Sequence, residues 1–314
     1  MMHKRIIKKT RTPLARPNAS DSSCEALKTI KLNNRDYSFN ETCIADWLFH
    51  FQEVAGEYKL DFDEDNVDGC FLGQGGNGFV LRYTKENERF AIKFLTNKRN
   101  KNKEVSIYKQ IQELYKPPYS ASFRIPRYHG DGEINFHETT LYYIVMDSAD
   151  GTFKDLLCEI HKMNDRREKQ EKLKFMFKYL SETLFVLHSA DYIHRDIKPE
   201  NILIKGEYPL LADFGMTGKQ SETCVRKKGP KYWPNPEFIE VCDDTLQIID
   251  HKSDIFNLGC LFFYFATGKY PIGKINLEQE LNAFDQDIGT MILSMLDYEK
   301  QNRMTDLSAI LSNI

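Results

Sequence analysis

The stretch that most constrains this chain is His194-Arg195-Asp196-Ile197-Lys198-Pro199-Glu200-Asn201, followed by the strand-like Ile202-Leu203-Ile204 and then by Asp213-Phe214-Gly215. Asp196, Lys198, Asn201 and Asp213 fall within twenty residues. Moving a phosphoryl group from ATP to a hydroxyl asks for a carboxylate that takes or orients the hydroxyl proton. It also asks for a cation against the charge of the moving group, and for oxygen ligands for Mg²⁺. The four residues supply those types in that order.

A second run, Gly73-Gln74-Gly75-Gly76-Asn77-Gly78-Phe79-Val80, has the spacing GxGxxGxV. A dinucleotide-binding turn reads similarly, but such a turn should open a helix. Here Phe79 to Tyr83 is aromatic and β-branched, and Ala91-Ile92-Lys93-Phe94-Leu95 reads as a further strand. Strand, glycine turn, strand is the expectation. Glycines in the turn let backbone N–H groups approach phosphates without a Cβ in the way.

At these residues the chain resembles the protein-kinase family, whose Gly-rich loop, strand lysine, HRD loop and DFG triplet form a known signature set. The resemblance covers roughly residues 67 to 312. It implies an α+β, two-lobed protein-kinase-like fold. Residues 67–149 would form an N-lobe of antiparallel β-sheet plus helix C, and residues 150–314 a mostly helical C-lobe, with ATP and Mg²⁺ in the cleft.

Carried over residue by residue, the resemblance makes Asp196 the catalytic carboxylate, Lys198 the γ-phosphoryl cation, and Asn201 and Asp213 the Mg²⁺ ligands. The run from Gly73 through Val80 would cover the phosphates, with Phe79 as a lid aromatic at its tip. Lys93 would hold the α- and β-phosphates when paired to a glutamate of helix C. Two glutamates compete for that role. Glu104 follows Lys93 closely, which implies a trimmed loop from Thr96 to Lys103; Glu113 lies near the helix end before Pro117-Pro118. Glu104 is the expected partner. Met146 would be the gatekeeper, the backbone of Asp147 and Ala149 would bond adenine, and Val80, Ala91 and Leu203 would sandwich its ring. Asp150 and Asp155 are both candidates for a ribose contact.

The expected activation segment runs from Asp213 to Glu237, where the family usually ends in Ala-Pro-Glu and this chain has Pro234-Asn235-Pro236-Glu237. Arg226 stands where many members carry a phosphothreonine, so a switch would use Ser221 or Thr223, or no phosphorylation at all. Pro230 and Trp233 look like the tyrosine-specific version of this segment, whereas Lys198 is the Ser/Thr mark. Ser/Thr transfer is expected, with dual specificity and a non-catalytic scaffold as the alternatives. Asp254 would hold the catalytic-loop backbone and Arg303 would pair with Glu237. The short interval from Gly273 to Ile288 implies a reduced helix G.

The rest of the composition narrows the setting. The chain has 314 residues, 41% hydrophobic and 28% charged, as a globular protein does. No apolar run approaches the roughly 18 residues of a membrane span, and no secretory apolar core opens the chain. An intracellular, chiefly cytoplasmic protein is expected. Seven scattered cysteines without a CxxC pair speak against disulfides and zinc. A net charge of −3 gives no argument for nucleic-acid or membrane binding. Protein substrates are the expected partners.

Residues 1–35 are basic at first and then rich in Ser, Asn and Pro, a composition that buries no core, so a disordered tail is expected. Its basic cluster reads as a nuclear-import signal, an acidic-surface contact or, by preference, a solvated tail. In 36–66, Ile44, Trp47, Leu48, Phe51 and Val54 recur at helical spacing, predicting an amphipathic helix, and Asp61 to Asp68 reads as a solvated loop.

Overall fold

Strand formation in the first part of the chain follows from aromatic and β-branched residues such as those of Glu88–Leu95, which suit a pleated surface buried on both sides. In the computed structural model the described residues are 29–32, 35–38, 71–75, 78–85, 88–115, 123–136, 139–220, 236, 250–271, 275–282, 284–304 and 307. The predicted helix over 44–54 and the acidic loop lie outside them. The chain divides into two compact units, one of Lys9–Ser106 with Arg127–Ser148, the other chiefly Ile107–Pro126 with Ala149–Ile314.

The first unit opens with a hairpin of β1 (Thr29–Leu32) and β2 (Arg35–Ser38), which crosses the boundary expected at residue 35. Its main body is an antiparallel sheet of β3 (Phe71–Gly75), β4 (Gly78–Lys85), β5 (Glu88–Leu95), β6 (Tyr128–Phe136) and β7 (Thr139–Asp147) in the order β3-β4-β5-β7-β6. Helix α1 (Lys98–Gln112) follows β5, its residues up to Ser106 belonging to this unit and those from Ile107 to the other. The loop expected to run from Thr96 to Lys103 is only Thr96 and Asn97. The Asn97 carboxamide oxygen accepts the Asn100 N–H at 3.1 Å, a helix cap that starts α1 at once. One face of the sheet carries Ala91, Leu95, Ile144 and Met146, and Val105 of α1 packs into that cluster.

The second unit contains β8 (Gly151–Thr152), α2 (Phe153–Lys162), α3 (Arg166–Ser189), β9 (Tyr192–Ile193), β10 (Ile202–Lys205), β11 (Tyr208–Leu211), β12 (Gly218–Lys219), α4 (His251–Thr267), α5 (Leu277–Leu281) and α6 (Gln286–Met295). The stripe Leu173, Met176, Phe177, Leu180, Leu184 and Leu187 of α3 is buried throughout, as its spacing predicts. Helix α4 is apolar nearly all round and is buried accordingly. Phe262 stacks on Phe177 at 4.0 Å and Phe265 on Phe153 at 5.3 Å. The interval in which a reduced helix G is expected carries the five-residue α5. No helix among the described residues is long and apolar enough to cross a membrane.

Candidate active site

In the first unit the site begins with the glycine turn. Gly78 starts β4 opposite Leu95, and a Cβ on it would stand 1.7 Å from the Phe94 carbonyl oxygen, so only glycine fits. Gly73, Gln74 and Gly75 belong to β3, while Gly76 and Asn77 lie outside the described residues. Phe79 is not at the tip of a loop as expected. It is already inside the strand, where the pleat turns it inward to stack on Phe94 at 5.0 Å, and it is 1% exposed. Val80 faces the other way, towards the cluster of Ala91, Met146 and Val105.

Of the two candidate partners for Lys93, the structure selects Glu104. Lys93 Nζ lies 2.8 Å from both carboxylate oxygens, and the glutamate is 1% exposed. Glu113 instead begins a short 3₁₀ turn after α1. Asp147 ends β7 with its N–H bonded to the Arg127 carbonyl at 2.9 Å, so that N–H is already engaged within the sheet. Ala149 follows at the boundary of the units.

In the second unit the loop between β9 and β10 is held from below by one buried side chain. Asp254, in the first turn of α4, accepts the N–H of His194 at 2.7 Å, the N–H of Arg195 at 2.8 Å and the ring of His188 at 3.1 Å. Burial alone would raise its pKa. The hydrogen bond and charge of His188, with His194 and the Arg195 N–H, outweigh that and hold the carboxyl below its usual value. Asp254 is legible in the sequence, whereas the only signal of His188 there is its place in the last turn of α3.

Above that anchor, Asp196 Oδ2 accepts from Lys198 Nζ at 2.7 Å and from Asn201 Nδ2 at 2.9 Å. The Asn201 amide also bonds the Asp196 carbonyl at 2.8 Å, and the Asn201 carbonyl accepts the Ala212 N–H at 2.8 Å. That last bond ties the loop to Asp213. Among the described residues no hydrogen bond falls on Asp196 Oδ1. Asp213 has a left-handed backbone (φ 64°), and its side chain accepts the Gly215 N–H at 3.3 Å. Phe214 turns inward between Tyr108 and His194, at 5.0 and 5.2 Å. His194 Nδ1 accepts the Asp196 N–H at 3.3 Å, so Nε2 carries the proton and donates to the Ala212 carbonyl at 3.1 Å.

The remaining expectations divide. Leu203 is half-buried on β10, opposite Thr152 and Leu210. Asp155 closes a capping box with Thr152, and Asp150 accepts the Gly206 N–H at 2.8 Å, so each ribose candidate already has a structural task. Arg303 is 2% exposed, donates to the carbonyls of Lys252 and Asp297, and lies over the Phe256 ring. Glu237, Ser221, Thr223, Arg226, Pro230 and Trp233 lie outside the described residues.

A sheet that pairs a strand lysine with a helix glutamate, in a chain whose second unit gathers Asp196, Lys198 and Asn201 on one loop, defines the kinase class of fold. The family model for the protein kinase domain matches residues 67–313, and the chain belongs to that family. It is similar to the serine/threonine-protein kinase dst4 of Dictyostelium discoideum, 32% identical over 233 residues, 69% of this chain and 45% of that protein. Serine/threonine-protein kinase 4 homolog A of the same organism is 28% identical over 215 residues, 65% of this chain and 42% of that protein. Serine/threonine-protein kinase hippo of Drosophila melanogaster is 28% identical over 239 residues, 73% of this chain and 33% of that protein. The chain spans less than half the length of each.

Proposed function

We propose that this chain is an ATP-dependent protein kinase that phosphorylates serine and threonine hydroxyls of protein substrates. The observation that carries the reading is the Asp196 carboxylate: Lys198 and Asn201 both bond Oδ2, which fixes the group and leaves Oδ1 to accept a hydroxyl proton. The substrate oxygen forms a bond to the γ-phosphorus as the bond from that phosphorus to the β,γ-bridging oxygen breaks. ADP leaves, and the hydroxyl proton passes to Asp196. Lys198 stands beside the carboxylate as the cation for the transferring group.

Asn201 and Asp213 fit Mg²⁺. Both are hard oxygen donors, and Asn201 spends its amide hydrogens on Asp196, so its carboxamide oxygen is the end left for a cation. Mg²⁺, when bound, would neutralise phosphate charge. Lys93, oriented by Glu104, would hold the α- and β-phosphates, and the Asp147 carbonyl with the Ala149 backbone would receive adenine. Lys198 and the names of the similar proteins favour Ser/Thr over Tyr.

The test is Mg²⁺- and ATP-dependent phosphate incorporation into a generic basic protein and into the chain itself, with sites mapped by mass spectrometry. Incorporation on Ser and Thr that falls at least a hundredfold in Asp196→Asn is expected. ATP binding without incorporation would sink the enzymatic reading in favour of a scaffold.

A further inference from the structure

Lys93 and Asp131 occupy one row of the sheet. Ile144 of β7 is the register partner of Lys93 on β5 and of Asp131 on β6, so all three side chains project from the same face. That face meets α1. Lys93 pairs with Glu104 of the helix, and Asp131 Oδ2 pairs with Lys101 Nζ at 2.6 Å. Lys101 stands three residues before Glu104, about one turn away on the same side of the helix. The two ion pairs therefore run in parallel between one sheet row and one helix face, with opposite polarity: lysine to glutamate in the first, aspartate to lysine in the second.

The second pair is well shielded. The side chains of Lys101 and Asp131 are 10% and 19% exposed, and the Tyr128 hydroxyl bonds the other aspartate oxygen. A third pair, Lys98 with Glu133 at 3.2 Å, lies further out with both side chains more than half exposed, where solvent leaves such a pair little strength. Val105 anchors the helix against Ile144 and Met146 by apolar contact. Apolar contact is non-directional, so the apolar stripe sets the rotation of the helix about its axis only coarsely. Two ion pairs three residues apart set it more closely. Rotating the helix so that Lys101 came towards Lys93 would set like charges together and leave the shielded Asp131 without its cation.

We propose that Lys101 and Asp131, braced by Tyr128, are positioning residues that fix the rotation of α1 so that Glu104 meets Lys93. The clasp belongs wholly to the first unit. The lysine–glutamate pair is thus braced by the sheet and its own helix. The proposal rests on the kinase reading for its consequence in catalysis, and on geometry alone for the pairing.

The test measures acylation of Lys93 by an amine-reactive reagent in the full chain without nucleotide, quantified by mass spectrometry, because an ammonium held by a carboxylate is not nucleophilic. Lys101→Met and Asp131→Asn should each raise the Lys93 rate at least fivefold, to the level of Glu104→Gln. Lys101→Met added to Glu104→Gln should raise it no further. Lys101→Arg and the exposed Lys98→Met should stay within twofold of wild type. Asp131→Asn keeps the shape of the side chain, so the test survives a poorly folded Lys101→Met. A Lys93 rate unchanged in Asp131→Asn, or raised equally with and without Glu104, overturns the clasp.

Phosphate transfer measured on the same variants separates the two readings. A wild-type chain that shows the labelling pattern but transfers nothing sinks the kinase and leaves the clasp. A transfer rate and ATP KM that ignore Asp131→Asn sink the catalytic consequence of the clasp alone.

Discussion

Arg195 keeps a left-handed backbone, φ 71°, with its N–H 2.8 Å from the Asp254 carboxylate. The adjacent N–H of His194 meets the other oxygen of the same group. A non-glycine residue in that region is strained by roughly 1–3 kcal/mol and persists where the surroundings over-determine it. Here the carboxylate supplies that constraint, and the loop bearing Asp196 inherits its shape from a helix some sixty residues further on.

Asp254→Asn tests that dependence. An amide must turn one N–H donor towards a peptide N–H that now meets an acceptor, leaving a buried donor unpaired. A loss of about 2–4 kcal/mol in urea unfolding is expected, on the scale of a broken buried charge and its hydrogen bonds. Phosphate transfer should fall far more than stability does, because the loop would relax away from its strained form. Equal stability and activity in wild type and variant would show that the loop holds its own shape.

Gly78→Ala addresses the glycine turn. The added methyl group would overlap the Phe94 carbonyl oxygen, which is backbone and cannot rotate away. Separation of β4 from β5 at their ends is expected, at a cost of about 1–3 kcal/mol by the scale of overpacked sites. Hydrogen exchange at Leu95 and at position 78 should accelerate relative to the distal pair Thr84 and Arg89. Uniform protection along the ladder would contradict this account.

Acid should weaken the second unit through His251. Its ring stacks on His188 at 4.3 Å, and its buried Nε2 has no hydrogen-bond partner among the described residues. Burial and the neighbouring His188 push its pKa down, more than Asp254, Asp191 and Asp250 raise it. A histidine depressed in the folded state contributes its stability fully above its unfolded pKa, about 6.5. That contribution is lost as pH falls towards the folded value. Urea midpoints should therefore drop from pH 7.5 to 5.5. His251→Phe, which keeps the stack without the charge, should reduce the drop to the part left to His161, itself lowered by burial and Lys169. An identical drop in the variant would exclude His251 as a source.

The sequence by itself determined the chemistry of the loop from His194 to Asn201, the family, the strand character around Lys93 and the buried stripe of α3. Each is carried by residues close together in the chain, where spacing and side-chain type alone fix what faces what. Tertiary structure decided the rest. Glu104 rather than Glu113 meets Lys93 because α1 begins at Lys98, one residue after its cap. Phe79 packs inward because strand pairing starts at Gly78. The Lys101 and Asp131 pair joins residues thirty apart through the register of three strands, and His188 reaches Asp254 across sixty-six. Periodicity shows which face of an element is apolar. Which polar groups meet across that face depends on register and helix rotation, and those are set only when the elements pack.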